Sequence, residues 1–242
     1  MSARNSCHLS VVIPVYNEER RLGQTLARVS EYLAAQSYEW EIFVVDDGSA
    51  DRSVAIAENA GLGTRLQVLR HEVNRGKGAA VRTGMTAARG RFALFSDADL
   101  STPIEEIEKL WPRFDEGYDV VIGSRGLTDS QIEVHQSRIR ETMGQTFNRL
   151  VRLLVLPGIR DTQCGFKMFS RRAVDALFRR CRLDGWAFDV ELLALAVREG
   201  LRIAEVPVRW VNSPDTRVRA VSASLQMFFD LLRLRRRLKA ER

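Results

Sequence analysis

The sequence predicts an α/β fold, a mainly parallel central sheet flanked by helices in a single domain, and three observations predict it. Short apolar, β-branched runs such as LSVVIPV (9 to 15), EIFVVD (41 to 46) and DVVIGS (119 to 124) have the composition of strands buried on both faces. Segments with helical spacing, about a dozen residues long, alternate with them, as strand-helix-strand units require. No linker, repeat or low-complexity tract divides the 242 residues, and a composition of 45% hydrophobic and 28% charged residues can fill one large core.

Taken in order, residues 9 to 15 form the first strand. Behind it Asn17 can cap a helix, Glu18 and Glu19 suit that helix's positive end, and Leu22, Leu26, Val29 and Leu33 fall on one face. A strand at 41 to 46, a helix at 51 to 60, a strand at 66 to 70, a helix at 77 to 89 and a strand at 91 to 96 follow. Pro103 opens a helix over 103 to 116, since proline suits a first turn, and 119 to 124 is another buried strand. The second half is less regular: a long helix over 137 to 156, a strand over 165 to 170, helices over 171 to 180 and 188 to 199, and a strand over 202 to 210. After a loop at 213 to 217, a basic amphipathic helix runs over 221 to 242, appended to a main domain of 1 to 220.

The three cysteines, Cys7, Cys164 and Cys181, are scattered and lack ligand spacing, which excludes a disulfide scaffold and a structural zinc site. The first residues hold too short an apolar stretch for a signal peptide, and nothing approaches the roughly 18 apolar residues of a membrane span. A reducing, cytoplasmic setting is the expectation. The net charge of +6 is concentrated late in the chain, which favours phosphate-bearing partners. Aromatic residues sit in apolar runs and make up only 8%, so a nucleic-acid partner is not expected, although a non-catalytic nucleotide- or nucleic-acid-binding module stays open as an alternative. Neither GxGxxG nor a P-loop frame follows a strand, which excludes two familiar nucleotide folds.

In such sheets ligands bind beyond the carboxyl ends of the strands. Those ends carry Pro14-Val-Tyr-Asn-Glu18, Asp46-Asp-Gly-Ser49, Asn74-Arg-Gly-Lys-Gly78 and Asp97-Ala-Asp99, and they are expected to line one cleft. The Asp46 and Asp47 carboxylates can accept from a base N–H or a ribose hydroxyl, or they can form a turn and a helix cap. Gly76 and Gly78 allow close backbone approach, and Lys77 falls at a helix N-terminus, where anions are favoured. Asp97 and Asp99 offer hard oxygen ligands for Mg²⁺ or Mn²⁺, which needs few protein carboxylates when substrate phosphates complete its shell. A solvated or capping pair is the plain alternative.

The series VVIPVYNEE, VVDDGSADRS, NRGKGAAVRTGM, SDADLSTP and VVIGSR resembles family 2 glycosyltransferases, and DTQCGFKMF and GWAFDVELL resemble their dolichyl-phosphate β-glucosyltransferase branch and its bacterial polyprenyl-phosphate relatives. The match covers residues 9 to 235. The resemblance implies the GT-A fold, with a Rossmann-like sheet, and a metal-dependent, inverting transfer of a hexose to a dolichyl or undecaprenyl phosphate. Glucose from UDP-glucose is the leading donor; GDP-mannose, or a soluble hydroxyl acceptor, is the alternative. It further implies that Pro14, Tyr16, Asn17, Glu18, Asp46, Asp47, Ser49, Gly76 and Lys77 surround the nucleotide. Asp97, Ala98 and Asp99 would carry the diphosphate through a divalent ion, with Arg217 closing over it. Ser124, Arg125 and Arg140 would clamp the acceptor phosphate, since a guanidinium can grip phosphate oxygens bidentately.

Asp189 would hold sugar hydroxyls or orient basic side chains, with base catalysis or a helix cap as rivals. Asp161 and Gln163 would reach the sugar or serve as loop hydrogen bonders. Cys164 is read as packing. Some phosphomannosyl relatives carry a metal-binding glutamine where this chain has Ser101. A lipid acceptor calls for contact with the cytosolic face of a membrane. The terminal helix, with Leu225, Phe228, Phe229 and Leu232 beside Arg233, Arg235, Arg236, Arg237 and Lys239, can lie in the interface or pack on the core. Arg149 and Arg152 offer a second basic contact.

Overall fold

The chain alternates strand and helix through β1 (Leu9–Val15), α1 (Leu22–Ala34), β2 (Trp40–Asp46), α2 (Ser53–Glu58), β3 (Leu66–Arg70), α3 (Lys77–Ala87) and β4 (Phe92–Ser96). There follow α4 (Trp111–Asp115), β5 (Val120–Ser124), β6 (Gln131–Val134), α5 (Arg138–Leu154), β7 (Phe166–Ser170), α6 (Arg171–Leu177), α7 (Phe188–Arg198), β8 (Ile203–Pro207), β9 (Arg209–Val211) and α8 (Ala220–Ala240). The structure, a computed structural model, describes residues 7–134, 138–211 and 220–240.

Seven strands form one sheet in the order β3-β2-β1-β4-β7-β5-β8. All neighbours are parallel except β7, which runs antiparallel to both β4 and β5. The chain winds outward from β1 to β2 and β3, then returns to place β4 on the other side of β1. That reversal opens a crevice beyond the carboxyl ends of β1 and β4, the switch point at which open α/β sheets bind ligands. A separate parallel pair, β6 and β9, forms beside it.

Alternation along each strand divides the core in two. Val12, Phe43, Val45 and Phe95 face a layer built from α3, α6 and α7 together with Phe147 and Val151 of α5 and Leu231 and Leu234 of α8. Val11, Ile13, Val44 and Leu94 face Leu22, Leu26, Val29 and Leu33 of α1 together with Ile104 and Ile107. Because both faces are covered, the strands read as unbroken apolar runs.

The structure corrects several expectations. Asn17 caps no helix: it has a left-handed φ of 56°, and α1 begins five residues later without an acidic first turn. Residues 103 to 116 break into a 3-10 turn, Ile104–Lys109, and the short α4. The expected strand over 202 to 210 is two strands, and β6 falls where no element is expected. Along α8 the buried side carries Leu231 and Leu234, whereas Phe228 and Phe229 are exposed. That helix therefore packs on the core and still leaves aromatic surface free.

Arg237 is no solvated tail residue: it pairs with Glu191, which is fully buried in α7. Glu191 Oε2 also accepts from the Cys181 thiol at 3.0 Å and from the backbone N–H groups of Arg182 and Leu183 at 2.9 and 2.6 Å. One carboxylate thus joins α8, α7 and the loop between α6 and α7. Glu191→Ala leaves those donors and Arg237 without their acceptor and is expected to destabilise the protein by about 3 to 5 kcal/mol. Guanidinium denaturation would read this as a lowered midpoint, with Glu191→Gln losing less.

Candidate active site

The crevice is floored by the DADLS segment that leaves β4. Asp97 donates its N–H to the Gly165 carbonyl at 3.1 Å, and its carboxylate lies so close over Gly165 that a Cβ there would collide with it. Ala98 is fixed by its carbonyl, which accepts from Thr25 Oγ1 at 2.6 Å. Leu100 adopts a left-handed φ of 45°, a conformation rare for a branched side chain. The resulting turn lets Asp99 Oδ1 accept the N–H of Ser101 at 2.9 Å. Burial first, and then the neighbouring Asp97 charge, push the Asp99 carboxyl above its ordinary range.

The pair has a cation at hand. Lys77 Nζ lies 2.6 Å from Asp97 Oδ1, with its side chain only 13% exposed. Burial works against the ammonium, yet Asp97 and then Asp189 hold its pKa above the ordinary lysine value. Asp189 lies deeper, 3% exposed in the first turn of α7, and takes 2.6 Å from Nζ of the fully buried Lys167. Lys167 also donates to the Cys164 carbonyl at 2.5 Å. Burial raises the Asp189 carboxyl, and Lys167 and Lys77 oppose that rise. Asp189 is not the cap of α7, a position held by Ala187.

Glycines 76 and 78 serve a different partner from the one expected. A Cβ at Gly76, where φ is 107°, would stand 2.5 Å from the Asp184 carbonyl oxygen, and one at Gly78 would stand 2.5 Å from that of Leu183. The Gly78 and Ala79 N–H groups donate to the Asp184 carbonyl at 2.7 and 3.3 Å. The start of α3 is thus capped by the loop before α7, not open to a phosphate, and the Arg82–Asp184 ion pair fastens the same contact.

At the end of β2, Asp46 and Asp47 are buried. Asp46 accepts from the Ser49 N–H at 3.2 Å. Asp47 accepts from the N–H groups of Arg75 and Gly76 at 3.0 and 2.8 Å and lies 2.7 Å from His71 Nδ1. His71 Nε2 meets Thr83 Oγ1 at 2.9 Å. Asp47 therefore fixes the segment carrying Lys77. Asn17 clasps the DDGS turn, donating its N–H to Ser49 Oγ and accepting from Ala50, both at 2.8 Å. Glu18 pairs with Arg21, Pro14 is half-buried, and Tyr16 is exposed at the rim.

At the end of β5, Arg125 binds Asp161 bidentately, Nε at 2.7 Å and Nη2 at 2.9 Å, and adds its backbone N–H at 3.0 Å. Its guanidinium also lies 5.5 Å from the Trp210 ring centre. Although burial alone would raise the Asp161 carboxyl, Arg125 brings it down to about 2. Asp161 thereby positions Arg125, as the loop hydrogen-bonding alternative has it. Gln163 turns toward Met227 Sδ at 3.2 Å. The Ser124 hydroxyl beside Arg125 is buried without a hydrogen-bond partner among the described residues. Arg140 belongs to α5, but its side chain, like the whole of Arg217, lies outside the described residues. Cys164 packs as expected, buried against Thr102.

His71, Lys167, Trp186 and Glu191 escape sequence reasoning. Lys167 and Glu191 carried a signal: each is a charged residue inside an otherwise apolar element, FKMFS and FDVELLALAVR. His71 and Trp186 carried none, since their partners are distant in sequence.

A doubly wound sheet with paired carboxylates at its switch point and a fixed arginine beyond them defines a transferase of the GT-A fold. The chain belongs to glycosyl transferase family 2, whose profile matches residues 10–178. It is 38% identical to a dolichyl-phosphate beta-glucosyltransferase of Drosophila melanogaster, covering 93% of this chain and 74% of that one. The human enzyme of the same name is 36% identical, covering 95% and 75%. The crystal structure of Mycobacterium tuberculosis glucosyl-3-phosphoglycerate synthase with Mn²⁺, UDP and glucosyl-3-phosphoglycerate matches in fold with a TM-score of 0.70 at 22% identity, covering 94% of this chain and 79% of that one.

The depressed Asp161 carboxyl makes a signed prediction. Its stabilising contribution is complete above the unfolded carboxylate range near pH 4 and is lost as pH falls through about 2. Asp161→Asn is expected to cost about 2 to 4 kcal/mol at pH 7, with the gap from wild type closing between about pH 4 and 2. Urea denaturation across that range would measure it.

Proposed function

We propose that the protein transfers glucose from UDP-glucose to a polyprenyl phosphate, of which dolichyl phosphate is one, with inversion at the anomeric carbon. The observation that carries this reading is the Asp97–Lys77 pair at the switch point, in a chain similar over more than nine-tenths of its length to dolichyl-phosphate beta-glucosyltransferases. Asp97 and Asp99 are a fitting donor set for Mg²⁺ or Mn²⁺. Their oxygens are hard ligands, their mutual repulsion is relieved by a cation, and among the described residues no third His, Cys, Asp or Glu closes a protein-only cage. Fold neighbours crystallised with Mn²⁺ or Mg²⁺ and UDP support the same choice. Asp97 and Asp99 would hold the ion, which would supply positive charge against the diphosphate leaving group.

The protein's own groups do the rest. Lys77 can exchange its Asp97 oxygen for a phosphate oxygen without crossing the site, so its charge is available as the leaving group develops. Arg125 is held by Asp161 with its side chain 28% exposed, and the Ser124 hydroxyl is without a hydrogen-bond partner among the described residues, features suited to a phosphate acceptor. Such an acceptor is already ionised and needs no general base. Asp189, enclosed against Lys167, accordingly sustains the charge of Lys77 in place of deprotonating a substrate.

The acceptor's lipid calls for a membrane surface. No helix among the described residues is long and apolar enough to cross one. Leu153 of α5 is 80% exposed and Phe229 of α8 57%, with Phe228, Arg149, Arg152, Arg233 and Arg236 exposed on the same two helices. Exposed apolar side chains and arginines on the same helices suit peripheral contact with anionic lipid.

A panel of UDP-glucose, GDP-mannose and other nucleotide sugars against dolichyl and undecaprenyl phosphate tests the reaction. Glucosyl lipid from UDP-glucose is expected, with Asp97→Asn lowering kcat at least about 100-fold; absence of any sugar-lipid product, or transfer to a lipid-free hydroxyl acceptor alone, overturns the reading. In vesicle flotation, wild type is expected to rise with phosphatidylserine vesicles and not with neutral ones, and Phe228→Ser/Phe229→Ser to remain below. Equal flotation of both proteins would remove α8 from the contact.

A further inference from the structure

Trp186 is unlike the chain's other tryptophans. Trp40 and Trp210 are 6% and 9% exposed and Trp111 is half-buried in a cluster of aromatic rings, whereas Trp186 is 38% exposed on the loop between α6 and α7. One exposed ring is ordinary by itself. This ring, however, stands on a loop that is fixed from three directions. Glu191 holds the Cys181 thiol and two backbone N–H groups, the Asp184 carbonyl caps α3, and the Asp184 side chain pairs with Arg82. None of those bonds uses the indole. The indole instead meets Lys77, whose Nζ lies 5.3 Å from the ring centre and 2.6 Å from Asp97.

We propose that Trp186 is the platform on which the hexose of the nucleotide-sugar donor rests, a binding residue for that sugar. The inference rests on the donor reading above. A hexose is bonded to the terminal phosphate of its donor, so it must lie beside whatever holds the diphosphate, and Lys77 spans the Asp97 carboxylate and the indole. The face of an aromatic ring carries partial negative charge. It repels phosphate oxygens and attracts the partly positive C–H groups that line one face of a hexose, so the sugar is the part of the donor that fits it. The nucleoside belongs at the opposite end of the crevice, past β1 and β2, where Tyr16 and the Asn17–Ser49 clasp stand. A ring held by a fixed loop needs no ordering when the sugar arrives, which favours binding.

Calorimetric titration of the full chain with UDP and with UDP-glucose, in the presence of Mn²⁺, tests this. Trp186→Ala is expected to raise the Kd for UDP-glucose about tenfold while leaving that for UDP within about twofold, the size of effect a single pocket contact carries. Trp186→Phe is expected to recover most of the loss. UDP-glucose is also expected to shield the wild-type indole from iodide quenching where UDP does not. Equal weakening of UDP and UDP-glucose would overturn the proposal, as would unchanged affinity for UDP-glucose. A wild-type protein that binds UDP but no UDP-hexose would overturn the donor reading and this one together, whereas a silent Trp186→Ala in a protein that binds UDP-glucose overturns this one alone.

Discussion

Everything at the switch point depends on an alternation of buried charge: Lys167, Asp189, Lys77, Asp97. Any one of these groups placed there alone would suffer the full cost of leaving water. Set in alternating sign, each lowers the cost of the next, and the series ends at the one member, Asp97, whose side chain is one-third exposed. The repulsion between Asp97 and Asp99 is thereby met even without a divalent ion, by the Lys77 ammonium. That explains why a strand end can carry two carboxylates and still fold. The charge a donor would need is already in place and balanced.

Three other buried carboxylates work by a common device. Asp47 gathers the N–H groups of Arg75 and Gly76 with His71; Glu191 gathers those of Arg182 and Leu183 with a thiol and Arg237; Asp161 gathers those of Arg125 and Gln163 with the Arg125 guanidinium. Each takes backbone donors that would otherwise be orphaned in a loop and gives that loop one conformation. The loops so fixed carry Lys77, Trp186 and Arg125. The acidic residues of this chain therefore divide between those that face the crevice and those that hold the crevice residues in place, and spacing alone does not tell the two apart.

That division marks what the sequence could disclose. Strands β1, β2, β4 and β5 were legible because two covered faces impose an apolar run on contiguous residues, and DADLS was legible because a charged pair at such a run's end is locally anomalous. For Asp47 and Asp161 the sequence leaves open both a substrate-facing group and a turn or loop hydrogen bonder, because the donors they take lie about 25 to 40 residues away. Gly76 and Gly78 were read correctly as places of close approach, but the approaching group is the Asp184 carbonyl, more than a hundred residues downstream. The antiparallel insertion of β7 was equally hidden, since its strand pattern is the same in either direction. In each case the composition was visible and the partner was not.

The same bonds tie the far helix to the crevice. From α8, Arg237 reaches Glu191; Glu191 holds residues 181 to 183; Asp184 caps α3; and α3 begins with Lys77, which grips Asp97. No step in that path is a soft contact: each is an ion pair or a hydrogen bond to a buried group, and breaking any one would leave a charge or a backbone donor unsatisfied. A helix so attached cannot swing independently of the site. On the proposed reading, the exposed Phe228 and Phe229 would then fix the angle at which the whole crevice meets a membrane, so that Arg125 would be presented to a lipid phosphate by the rigid body of the fold and not by a hinge.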